Sequence, residues 1–85
     1  MAEKQNIEWK AIWKDDYLAW LCGFANAQGG KLYIGVDDSG KPIGLSNCKK
    51  LLEDLPNKIR DSLGIIANIN LHTHEGQDYI EIRCV

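Results

Sequence analysis

Two adjacent glycines, Gly29 and Gly30, separate two incompatible periodicities, and that junction constrains the fold more than any other feature of the chain. Before them, Leu18, Leu21, Cys22 and Ala25 recur at i, i+3, i+4 and i+7, which is one face of a helix. After them, Leu32, Ile34 and Val36 alternate with Tyr33 and Gly35, the period of a strand with one buried face. A glycine just past a helix can take the left-handed conformation that closes the last carbonyls, without a Cβ penalty. The stretch Trp20 to Asp38 is therefore expected to be a helix tail, a stop, and a strand ending in two carboxylates, Asp37 and Asp38. Gly35 has no side chain, so a second backbone or a ligand can approach its face closely.

Upstream, Asn6 to Lys10 sets Ile7 and Trp9 against Glu8 and Lys10 and reads as a short strand. Asp15 or Asp16 suits the cap of the first helix, where a carboxylate also complements the dipole. That helix is expected to run to about Ala27, with Trp20 off its apolar stripe and at the rim. The second strand is Lys31 to Asp37. A turn at Asp38-Ser39-Gly40-Lys41 then leads to a short antiparallel return from Pro42 to Leu45. Ser46 or Asn47 caps a second helix from Lys49 to Leu63, closed by Gly64. A break is expected near Leu55, because Pro56 has no N–H and clashes with the preceding turn. Ile65 to His74 and Tyr79 to Val85 are two further strands around a turn at Glu75-Gly76-Gln77-Asp78. The order β-α-β-β-α-β-β is an α+β fold, with two helices on one face of a mostly antiparallel sheet.

Eighty-five residues make one domain. No apolar run approaches the roughly 20 residues that cross a bilayer. MAEKQNIEWK lacks the apolar centre of a signal peptide, so a cytoplasmic location is expected. Cys22, Cys48 and Cys84 are odd in number, widely spaced and without a CxxC pair. That argues against a disulfide framework or a zinc site and for reduced thiols. The net charge of −2 supplies no general basic excess for phosphate binding. A nucleic-acid surface would have to be a local patch.

The run FANAQGGKLYIGVDDSGKPIGL, together with Ile7-Glu8-Trp9-Lys10 upstream, closely resembles the signature of the Alba-like, Schlafen-related DNA-binding domain of bacterial transcriptional regulators, RecG-like ones included. The match rests on Asn26, Gly29, Gly30, Gly35, Gly40 and Gly44, with Trp9 where the family usually has Phe, and it spans roughly residues 3–85. The resemblance implies nucleic-acid binding, with DNA the leading class, by a cytoplasmic homodimer. It also implies that this domain is the N-terminal part of a longer regulator.

Three constellations could carry chemistry. Lys10, Lys14, Lys31 and Lys41 gather near the same strand ends, with Lys49, Lys50, Lys58 and Arg60 on the second helix. Lysines position a phosphate backbone without reading sequence. Glu3, Glu8 and Asp38 resemble the carboxylate triad of Schlafen nucleases, which would hold Mg²⁺ or Mn²⁺ and activate water on a phosphodiester. Converging on one cation requires Glu8 and Asp38 within about 5 Å of each other. This metal-dependent nuclease is the alternative reading, and the only one that calls for a cofactor. The glycines fit neither the phosphate-loop spacing nor G-x-G-x-x-G, so no nucleotide site is expected. His72 and His74 share a strand face but lack a third ligand, and read as surface residues. A third reading, a protein-interaction or dimerisation module, draws on the acidic balance and on Trp13 and Trp20 as exposed aromatics.

Overall fold

A computed structural model of the chain describes residues 7–26, 29–65 and 67–84, apart from the side chains of Cys22, Phe24, Ala25, Asn26 and Cys84. The expectations for Glu3, Asn6, Ala27, Val85 and those side chains fall outside the described residues. Strand β1 (Ile7–Lys10) leads through a 3-10 turn (Asp15–Tyr17) into helix α1 (Leu18–Asn26) and strand β2 (Gly30–Ile34). Helix α2 (Cys48–Leu63) and the strands β3 (Asn68–His74) and β4 (Gln77–Cys84) follow. The sheet order is β1-β2-β4-β3. β1 runs parallel to β2, as a crossover through α1 requires, and the other two pairings are antiparallel. The α+β architecture is the one the sequence predicts.

Both helices cover one sheet face. Leu32, Ile34, Ile80 and Ile82 on that face have no exposed surface, and they meet Leu21 of α1 and Leu51, Leu55 and Ile59 of α2. The α2 stripe is a single ridge: Cys48, Leu51, Leu55 and Ile59 are its buried residues. Burying each large aliphatic side chain contributes about 1.5–3 kcal/mol. The glycine junction is as expected. α1 ends at Asn26, Gly29 takes φ +94°, and β2 begins at Gly30.

Four local expectations are corrected. Neither Asp15 nor Asp16 caps the first helical turn; Lys14 holds the cap position without a side-chain bond. The Asp15 carboxylate is instead taken by the Trp13 indole N–H and by Lys58 Nζ, each at 2.8 Å. Pro56 does not break α2, which is continuous from Cys48 to Leu63. Leu55 and Ile59 pin both sides of the proline to the core, while Pro56 itself faces solvent, so the helix loses one hydrogen bond on its wet side. The second strand ends at Ile34, and Pro42 to Leu45 forms no strand, only a bridge between Val36 and Pro42. At Gly35 the chain turns through φ +94°. Its carbonyl accepts from both Ile43 N (2.8 Å) and Gly44 N (3.3 Å), which ends the regular ladder. Finally, the last hairpin is tighter than expected. Glu75 (φ 53°) and Gly76 (φ 78°) alone make the turn, the two positive φ values of a type I′ connection, so β4 starts at Gln77.

Candidate nucleic-acid interface

The strand register sorts the candidate residues by face. Glu8 and Lys10 lie beside Leu32 and Ile34, and so belong to the helix-covered side at the sheet edge. Ile7 and Trp9 lie beside Lys31 and Tyr33, on the open side. Across β4, Lys31 neighbours Arg83 and Tyr33 neighbours Glu81. The four lysines read as one group are therefore divided between two faces.

Lys10 turns back over the helix. Its Nζ lies 3.7 Å from Glu8 Oε2, 4.7 Å from the Trp20 ring centroid and 5.2 Å from that of Tyr17. This is a cation–π arrangement, and it gives Trp20, 41% exposed, its rim position. Trp13 is not the exposed aromatic expected. It is half-buried, packs on the core and meets Tyr17 edge-to-face at 5.8 Å. Lys14 and Lys41 are exposed. The basic residues of α2 are largely answered by acids, through Lys50–Asp54 at 3.2 Å, Lys58–Asp15 at 2.8 Å and Arg60–Asp61 at 3.7 Å. Lys58 is also the main cause holding the Asp15 carboxyl below its ordinary range.

The structure gives the proposed carboxylate triad no assembled centre among the described residues. Glu8 faces Lys10, Asp38 is exposed in its turn, Glu3 is outside the described residues, and no three His, Cys, Asp or Glu side chains converge there to hold a metal ion. The turn is organised by the neighbouring Asp37, which sequence reasoning passed over. Asp37 Oδ1 accepts from Ser39 N (2.9 Å), Ser39 Oγ (2.7 Å) and Lys41 N (2.9 Å). Those bonds, the Ser39 hydroxyl first, hold its carboxyl below the usual range. The available signal was a serine two residues after an aspartate, the spacing of an Asx turn.

The open face is polar at its centre and aromatic along its length. Glu81 Oε1 lies 2.8 Å from His72 Nε2 and Glu81 Oε2 lies 3.6 Å from Lys31 Nζ. The hydrogen bond with His72 is the main reason the Glu81 carboxyl sits below its ordinary range. Burial, then the Glu81 charge, pushes the Tyr33 hydroxyl up. The Tyr79 ring stacks on His72 at 5.2 Å and 23° and stands 6.2 Å from Tyr33. Ile7, Trp9, Tyr33, Val36, Gly40, Pro42 and Tyr79 line a cleft of about 240 Å³. Gly40 closes one wall: a Cβ there would stand 3.1 Å from the Trp9 ring. A second hollow of about 480 Å³, lined by Lys41, His74, Glu75 and Gln77, shares Gly40 and Pro42 with the first. His72 and His74 thus lie on this surface, as expected, the first tied to Glu81 and the second 3.9 Å from Glu75.

The family model described as Schlafen, AlbA_2 matches residues 3–84. Among solved structures, the crystal structure of the DIP2311 protein from Corynebacterium diphtheriae matches with a TM-score of 0.73 and 18% sequence identity. The alignment covers 99% of this chain and 18% of that one, so the chain spans less than a fifth of that protein's length. At such identity the likeness is one of fold. No curated protein matches the chain.

Proposed function

This chain belongs to the Schlafen, AlbA_2 family, and from that premise we propose that it is a nucleic-acid-binding domain of a bacterial cytoplasmic transcriptional regulator, acting as a homodimer, with DNA as the first ligand to test. The observation that carries the reading is the sheet face left uncovered by the helices. Lys31 and Arg83 stand side by side on it, with Lys31 40% exposed and Arg83 exposed. Lys41 stands exposed at the adjoining hollow. Such a patch can exist on a chain of net charge −2 because several of its acids, Asp15, Asp54 and Asp61 among them, lie away from this face and pair with bases there. Lys10 and Lys14 serve the flank beside α1. Lys10 is held 3.7 Å from Glu8 much as Lys31 is held 3.6 Å from Glu81, so Arg83, Lys14 and Lys41 are the cations of this set with no acid drawn up to them in an ion pair among the described residues. These groups grip phosphates and fix register; they carry no base discrimination.

Anisotropy titration of labelled DNA at low salt tests this. Binding is expected, with log affinity falling against log salt by about 0.9 per duplex phosphate neutralised. Lys31→Ala is expected to weaken it several-fold and to lower the slope by roughly one phosphate. Absence of binding to any nucleic acid at low salt overturns the proposal.

A further inference from the structure

Resting on that reading, we infer that the helix-free sheet face is a stacking platform for unpaired nucleobases, which makes single-stranded nucleic acid its ligand. Every strand contributes at least one ring to this face. Trp9 comes from β1, Tyr33 from β2, Tyr79 from β4 and His72 from β3, in the spatial order of the sheet. Trp9 and Tyr33 are direct register neighbours, as are Tyr79 and His72. The Tyr33 and Tyr79 rings, diagonal across the β2–β4 pair, close the row at 6.2 Å. An aromatic row that crosses a whole sheet on its helix-free side, half-buried and met at the Trp9 end by the Gly40 turn, lies outside the core, which is on the other face.

The surroundings select the occupant. Flat apolar rings need a flat π-faced guest, and base–aromatic stacking tolerates any sequence because every base has a π-face. Lys31 and Arg83 flank the row with positive charge, and Lys41 continues it along the adjoining hollow, where a backbone leaving the cleft would run. Acids lie on this path too: Asp37 and Asp38 share the turn of Lys41, and Glu81 and Glu75 lie along the face. Glu81 is met by His72 and Lys31, and its carboxylate is an acceptor for base amino groups rather than for phosphate. Glu75 sits at the far hollow, 3.9 Å from His74. A cleft of about 240 Å³ admits a ring, not a double helix, and a duplex keeps its base faces inside the stack, out of reach of the rings.

The test uses the whole chain and three fluorescein-labelled probes of about 15 nucleotides, a length within the range of single-strand sites. They are an oligothymidylate, a duplex, and an abasic strand with the same phosphates. The oligothymidylate is expected to bind at least about tenfold more tightly than the abasic strand. Tyr79→Leu is expected to weaken oligothymidylate binding roughly 5- to 150-fold and leave the abasic strand unchanged. Tyr79→Phe, which keeps the ring, is expected to retain binding. The comparison of probes on the unaltered chain needs no variant and so survives misfolding of Tyr79→Leu. Equal affinity for all three probes overturns the platform and leaves the nucleic-acid reading standing. Failure to bind any of them overturns both.

Discussion

The two faces of this sheet are cut from the same strands and have opposite properties. Along β2, Leu32 and Ile34 are wholly buried, while Lys31 and Tyr33, which alternate with them, are half-buried. Along β4, Ile80 and Ile82 are wholly buried, whereas Tyr79 and Glu81 are half-buried and Arg83 is exposed. The aliphatic face contributes hydrophobic stability against two helices. The other face has aromatic rings, a carboxylate and cations, groups that lie outside the core cluster and bury less apolar surface. A period of two lets one strand serve both purposes without conflict. Substitutions on the covered face should therefore read out chiefly in stability, and those of the open face's rings and cations chiefly in binding.

The largest expected effect tests the covered face. Ile80→Ala or Leu55→Ala should cost about 2–5 kcal/mol in urea unfolding. A loss under about 1 kcal/mol would break the contrast. Gly35→Ala comes next, because that residue joins the two faces. Its φ of +94° disfavours a side chain, and a Cβ would stand 2.8 Å from Leu45 Cγ and 3.2 Å from Tyr79 Cβ. Strain and overpacking together should cost about 2–4 kcal/mol, read as a lowered unfolding midpoint.

Glu81→Gln sharpens the picture of the open face. The Glu81 carboxyl is held below its ordinary range by His72 and then by Lys31. A depressed folded value adds stability that is fully present above the unfolded value of about 4.3 and is lost as pH falls through the folded one. The unaltered chain should lose about 1 kcal/mol from this source in acid, and Glu81→Gln should show a flatter acid limb in urea midpoints measured across pH. An unchanged limb would remove Glu81 as a contributor. The smallest effect is Lys50→Ala, which breaks an exposed i,i+4 pair with Asp54. A change within about 0.5 kcal/mol is expected in the same assay.

The covered face was legible in the sequence because its signals are periodic. The alternation Leu32, Ile34 and the glycine stops at Gly29 and Gly64 announce themselves within a few residues. Misreadings arose where two local preferences competed. Asp15 could cap a helix or bond Trp13 and Lys58, and only the tertiary position of Lys58 decides. Pro56 would break an isolated helix, yet burial on both sides of it outweighs one lost hydrogen bond. Gly35 looked like a strand residue and is the bend that ends the strand. The open face was harder to read. Trp9, Tyr33, Tyr79 and His72 lie far apart in sequence and form one row only once the order β1-β2-β4-β3 is known. The lysines misled in the opposite way: expected together near the same strand ends, they are parted by the register.

The pairing of β1 with β2 has a kinetic corollary. β3 and β4 are joined by a two-residue turn, and hairpins of that kind zip in about 1–10 μs. β1 is an outermost strand of four half-buried residues, reached only by way of α1, so it is expected to dock last and detach first. Native-state hydrogen exchange should then find its amides opening well before those of β4. Each such opening carries Trp9 away from Tyr33, so a guest seated between them would depart while the hydrophobic interior stays intact.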